Sequence, residues 1–199
     1  MKHIILLLTV ISIFSCYNTN ADETDTEKKT LKIEQRKIDP ILKAIVAKYP
    51  AYAENNLVRE NAADELKQKI DSLLQLGYFQ DIPLKVIRVG KNPNGKGAYV
   101  HLYTDNFDFA RPGQLSDRLN FDLYGFISEQ IAGQIKEKGS YFVYGKNFKM
   151  LNGDEASVLF NIVFHSKNFQ ITQNMGDVFN FNIGCMACEI YALKEVNEN

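Results

Sequence analysis

Pro83-Leu-Lys-Val-Ile-Arg-Val-Gly-Lys-Asn-Pro-Asn-Gly-Lys-Gly-Ala-Tyr-Val-His-Leu-Tyr-Thr104 is the stretch whose reading decides the fold. Pro83 to Val89 is rich in β-branched residues and reads as a strand, Asn92 to Gly97 gathers Asn, Pro and Gly into one turn, and Ala98 to Thr104 alternates. Strand signals on both sides of such a turn predict a β-hairpin. In its second strand Ala98, Val100 and Leu102 form one face, and Tyr99, His101 and Tyr103 form the other. If the first face is core, the second is an aromatic, hydrogen-bonding surface of the kind that stacks sugars or other flat ligands. The competing expectation is that the two N-terminal helices pack over it.

Downstream, Arg111-Pro112-Gly113 marks a loop, after which Leu119, Phe121 and Leu123 alternate with Asn120, Asp122 and Tyr124 as a third strand. Ile127, Ile131 and Ile135 recur every fourth residue, which predicts a helix over 128–138 closed by Gly139. Ser140 to Tyr144 and Lys146 to Leu151 look extended. Asn152-Gly153 is a hairpin signal leading to a strand over Glu155 to His165, and a last extended stretch covers about 178–193. Upstream, Asp39-Pro40 reads as an N-cap followed by the first helical residue, with Ile41, Leu42, Ile45, Val46 and Tyr49 on one face and Pro50 as the stop. A second helix follows over about 55–76, with Ala62, Leu66, Ile70, Leu73 and Leu74 as its stripe and Gly77 at its left-handed end.

The expected fold is α+β: a helical pair (39–77) packed on a small antiparallel β-rich barrel or sheet (83–194), with the order β-β-β-α-β-β. That is the order of an oligonucleotide/oligosaccharide-binding (OB) domain. The run Ile135-Lys-Glu-Lys-Gly139-Ser-Tyr-Phe-Val-Tyr-Gly145-Lys146 resembles the stretch of bacterial OB-like domains where a helix ends at a glycine and feeds the next strand. The resemblance covers about 83–165 and implies an OB-like architecture.

The N-terminus reads as targeting. Lys2 and His3 precede Ile4 to Phe14, an apolar run of about eleven residues. That suits a signal segment (1–15) and falls short of the ~20 residues that span a bilayer. Ile13-Phe14-Ser15-Cys16 resembles the lipobox of bacterial lipoproteins, with Phe14 where a small residue is usual. The resemblance implies that Cys16 is acylated and anchors the protein to a membrane of the cell envelope, with 16–30 as a polar, flexible tether and 31–199 as a single domain. Cleavage near Ala21 is the alternative, and would release a soluble periplasmic or secreted protein.

A net charge of -1, near -2 once Lys2 is removed, supplies no field for a phosphate backbone, so nucleic acid is not an expected partner. Thirteen Phe and ten Tyr without a Trp leave aromatics to spare for a surface. Cys185-Met-Ala-Cys188 admits a local disulfide, a pair of inert buried thiols, a redox couple, or half of a zinc site completed by His101 and His165. Strand-like flanks argue against the redox reading, and a disulfide requires a bulge or turn at 184–187. Asp105, Asp108, Asp117 and Asp122, with Arg111 and Arg118, are candidates for acid-base chemistry in an envelope hydrolase. Their spacing fits no recognisable hydrolase or cation-loop pattern, and G-x-S-x-G, H-E-x-x-H, P-loop and dinucleotide signatures do not occur. The expected function is therefore non-catalytic binding of a protein, peptide or glycan, with no metal and no cofactor assigned.

Overall fold

The computed structural model describes residues 35–93, 95–104, 113–152, 155, 170–173 and 179–196. Helix α1 (Asp39–Lys48) is followed by a 3-10 turn (Pro50–Ala53) and by α2 (Asn56–Gln75). Ile38, not Asp39, occupies the N-cap of α1, because the Asp39 carboxylate is used elsewhere: its Oδ1 accepts from the Ser116 backbone N–H at 2.8 Å. Asn55 caps α2 by accepting from the N–H groups of Leu57 and Val58. At the other end Gly77, at φ +74°, ends α2: Tyr78 N–H donates to Leu73 C=O and Gly77 N–H to Leu74 C=O. That pair of bonds satisfies carbonyls the helix would otherwise leave orphaned. Glu65 of α2 accepts from Lys48 at the end of α1, from Lys69 and from the Tyr49 hydroxyl, and these partners, Lys48 foremost, hold its carboxyl down to about 2.

Strands β1 (Leu84–Lys91) and β2 (Ala98–Thr104) form the expected hairpin, and β3 (Leu119–Ile127) pairs antiparallel with β2. After one helical turn, α3 (Glu129–Ala132), come β4 (Ser140–Leu151), the short β5 (Gln170–Gln173) and β6 (Phe179–Glu195). Neighbours run β1-β2-β3-β6-β4 and back to β1, so five strands close in a ring, and β5 adds to β6. The class is α+β, and the ring runs three strands, a helical turn and two strands, its fifth member being β6 from the last extended stretch. One expectation is corrected: the sheet is mixed, because β3 and β6 run parallel. β6 reaches β3 only after a long crossover past β4, and no hairpin constrains their direction.

Two local expectations also change. The 128–138 helix shrinks to α3, capped by Ser128, because Ile127 belongs to β3 and Gly133 follows immediately as the helix ends. The two extended pieces at 140–151 are one strand. It bulges where Asn147 takes φ +55° and where the Gln75 side-chain amide of α2 donates to the Phe148 carbonyl at 2.6 Å. Near the end of β4, Asn152 N–H donates to Glu155 Oε2 and Glu155 N–H donates to Asn152 Oδ1; Gly153, on which the expected hairpin turns, lies outside the described residues. The rest of the strand expected there lies outside the described residues.

The core sits inside the ring and beneath the helices. Ile38, Leu42 and Ile45 of α1 and Leu66, Ile70 and Leu74 of α2 join one apolar cluster with Val100, Leu102, Leu123, Phe181 and Met186 of the ring. Phe79, just past α2, packs edge-on against Phe121 with ring centroids 5.6 Å apart. A buried polar clasp ties the helices to the chain ahead of β3. The Arg36 guanidinium donates to Asp117 Oδ1 at 2.6 Å and to Ser116 Oγ at 3.4 Å, with Arg36, Asp39 and Ser116 all but sealed from solvent. Among the described residues no helix is long and apolar enough to cross a membrane.

Candidate functional site

Because side chains alternate, the ring has an outer face as well as a filled interior. On β2, Ala98, Val100 and Leu102 point into the core, and Tyr99, His101 and Tyr103 point out. The helices pack on the interior side, so they are not what covers the second set. The outer face divides along its length. Tyr99 and Tyr124 are buried in a second small cluster with Leu151, Cys185 and Ala187. Tyr99 lies so closely over Gly90 that a Cβ at that glycine would stand 2.6 Å from the Tyr99 ring. Tyr103, at the other end of β2, keeps 37% of its surface exposed.

Register sets the chemistry between them. His101 faces Tyr124 and Tyr103 faces Asp122, which places Asp122 on the diagonal from His101. The imidazole stacks on the Tyr124 ring with centroids 4.2 Å apart and planes 11° from parallel, and its Nε2 lies 2.8 Å from Asp122 Oδ1. A carboxylate only accepts, so Nε2 carries the proton. Asp122 Oδ2 has no partner among the described residues, and neither does the Tyr103 hydroxyl. Burial first, then the neighbouring Cys185 and Asp122, drive the Tyr124 hydroxyl far above the usual phenol range, so its ring serves as a neutral platform for His101.

Beside this pair is an open cleft of about 200 Å³. Tyr103 and Asp122 line it together with Ile87 of β1, Asn120 of β3 and the backbone of Gly184 of β6. Ile87 is 47% exposed because a bulge between Val86 and Arg88 puts it out of register. Gly184, at φ +99°, lies where the β3-β6 register shifts, and it contributes no side chain to the lining. Neither Ile87 nor Gly184 was legible as a site residue, because each depends on a bulge.

Cys185 and Cys188 are both free and buried. The disulfide reading is corrected. From Gly184 to Cys188 the chain runs in unbroken register with β3, so residues three apart point to opposite faces. Cys185 joins the outer cluster and Cys188 the inner core. Burial, and secondarily the Asp122 carboxylate, pushes the Cys185 thiol far above the ordinary range. Burial, and secondarily Glu189, pushes Cys188 up to about 12. Both are held in the form that is neither nucleophile nor metal ligand. His101, a candidate zinc ligand, is committed to Asp122, and no group of residues suited to hold a metal occurs among the described residues.

The two acidic candidates among the described residues, Asp117 and Asp122, have separate partners. Asp117 is bound by Arg36 in the clasp and Asp122 by His101 on the outer face. Asp105, Asp108, Arg111 and His165 lie outside the described residues, as do Cys16 and Ala21. Comparison with protein-family models, with curated proteins and with solved structures gives no match.

Proposed function

We propose that this chain is a lipid-anchored protein of the bacterial cell envelope. It is tethered through Cys16 and residues 16–30, and its folded part is a non-catalytic binding module for a protein, peptide or glycan. The observation that carries the binding reading is the Tyr103–Asp122 cleft. It is an exposed aromatic ring beside a carboxylate that His101 fixes in place, on a strand face where the helices do not pack. A few fixed polar groups in a concave, partly apolar setting are what a recognition site requires. The ring's sequence of neighbours, with β3 beside β6, is also compatible with the OB-like reading. The signal-like start and Ile13-Phe14-Ser15-Cys16 support the anchor. Burial of both remaining thiols argues against the thiol alternative.

Two measurements test the reading. Cys16→Ala should move the protein from the membrane fraction to the soluble envelope fraction, and unchanged attachment would end the anchor claim. A photoactivatable residue in place of Ile87 should give an adduct in intact cells, whereas the same residue in place of Tyr191, an exposed tyrosine outside the cleft, should not. Equal yields at both positions would mean that the cleft is ordinary surface.

A further inference from the structure

We infer that the Tyr103–Asp122 cleft seats one uncharged, hydroxyl-rich sugar ring of an envelope glycan; this deepens the binding reading above and rests on it. Size is the first argument. At about 200 Å³ and open to solvent, the cleft is smaller than the ~300–1,000 Å³ of sites that enclose a whole small molecule. It accommodates a single ring of a longer chain whose other units lie across the surface.

The backbone supplies the second argument. β2 is paired on one side with β1 and on the other with β3, and β3 is paired with β2 and β6. Among the described residues neither β2 nor β3 offers a free edge at the cleft, so an extended peptide cannot be recognised there by adding a strand to either. Recognition falls to side chains.

Those side chains match a pyranose. The exposed Tyr103 ring, with Ile87 beside it, offers an apolar surface for the C–H face of a sugar. Asp122 Oδ2 accepts from a sugar hydroxyl, and the Tyr103 hydroxyl donates to another or accepts from it. An apolar side chain from a protein partner would fill the same space but bury Asp122 Oδ2 without a partner, which is unfavourable. The Asp122 charge likewise disfavours an acidic sugar. His101 is a positioning residue. It fixes the carboxylate and is itself fixed on Tyr124, so the ligand orders little on binding.

The test is NMR titration of the isotopically labelled chain carrying Cys16→Ala. The probes are neutral tetrasaccharides derived from chitin, glucan, mannan and galactan, each taken to millimolar concentration. At least one should shift the amides of Tyr103, Asn120, Asp122 and Gly184. Tyr103→Ala should weaken that binding about tenfold or more, and Tyr103→Phe, which keeps the ring, should weaken it less. Tyr191→Ala should leave it unchanged. Saccharide binding that survives Tyr103→Ala would place the sugar elsewhere and overturn the inference. If no saccharide binds but peptides bearing tyrosine or leucine shift the same amides, the sugar assignment falls and the binding module stands. If neither class shifts them, both fall.

Discussion

The two thiols of β6 give the sharpest quantitative expectation. An ordinary cysteine titrates near 8.5, so at pH 8 about a quarter of it is thiolate. Cys188, pushed up to about 12 by burial and by Glu189, is thiolate in roughly one molecule in ten thousand at that pH. Since the thiolate is the reacting species, ionisation alone should slow alkylation by about three orders of magnitude. Cys185 is shifted in the same direction by burial and Asp122. Access slows both further, because β6 pairs with β3, β4 and β5 and cannot be exposed without opening the sheet. In the Cys16→Ala chain, iodoacetamide followed by intact mass should therefore show both thiols unlabelled in native buffer. They should then be labelled together, at a rate that rises with urea along the global unfolding curve.

The same shifts make a statement about stability. In the unfolded chain the thiol of Cys188 loses its proton near 8.5, whereas in the folded chain it keeps it to about 12. Folding thus binds a proton in that window. The thiol's contribution is fully present below pH ~8.5 and is lost as pH rises toward 12, at about 1.4 kcal/mol per pH unit for one thiol. The urea midpoint of the wild-type chain should fall between pH 8.5 and 10.5, and Cys188→Ala should flatten that fall. Rapid labelling of either thiol in native buffer, or labelling in two separate steps, would refute the burial argument and revive a thiol function.

Three further substitutions test the scaffold. Gly97→Ala should cost about 2 kcal/mol in urea unfolding, because Gly97 sits at φ +93° and a Cβ there would lie 2.8 Å from the Ile127 carbonyl oxygen; a neutral result would mean that the turn relaxes freely. Gly125→Ala drives a Cβ to 2.0 Å from Ile190 Cδ1 inside the ring; it should cost about 1–3 kcal/mol, and Ile190→Val in the same chain should restore part of the loss. Arg36→Met removes a guanidinium that is 2% exposed and bonded to Asp117 and Ser116. It should cost about 3 kcal/mol as a single change, much of it recovered by adding Asp117→Leu; a loss under about 1 kcal/mol would mean that the clasp does not hold the helices to the ring.

What the sequence made legible follows from which forces are local. The caps of α2 and the Asn92–Gly97 turn are decided by residues a few positions apart, and Asn55, Gly77 and the hairpin all stand where the pattern puts them. The failures share one cause: a single motif serves two structures, and tertiary contact chooses between them. Ile127, Ile131 and Ile135 have helical spacing, yet the first belongs to β3. The bulge of β4 had no local signal, since it depends on Gln75 arriving from α2 to satisfy the Phe148 carbonyl.

The site was half legible for a related reason. Alternation alone puts Tyr99, His101 and Tyr103 on one face, but it says nothing about which of them is exposed. That is settled by partners far along the chain: Gly90 lets Tyr99 lie flat and buried, while the β1 bulge and Gly184 open the space beside Tyr103. Alternation puts Asp122 on the third strand, but only the β2–β3 register sets it diagonal to His101. The parallel β3–β6 pairing then places Cys185 next to Asp122 on the same face. One carboxylate therefore has two effects. It lines the open cleft, and its charge, added to burial, keeps the neighbouring thiol protonated. An open cleft lined by a carboxylate and a protonated cysteine are thus two consequences of one register, and moving the charge should change both: Asp122→Asn should weaken any ligand held through that carboxylate while lowering the barrier to ionising Cys185.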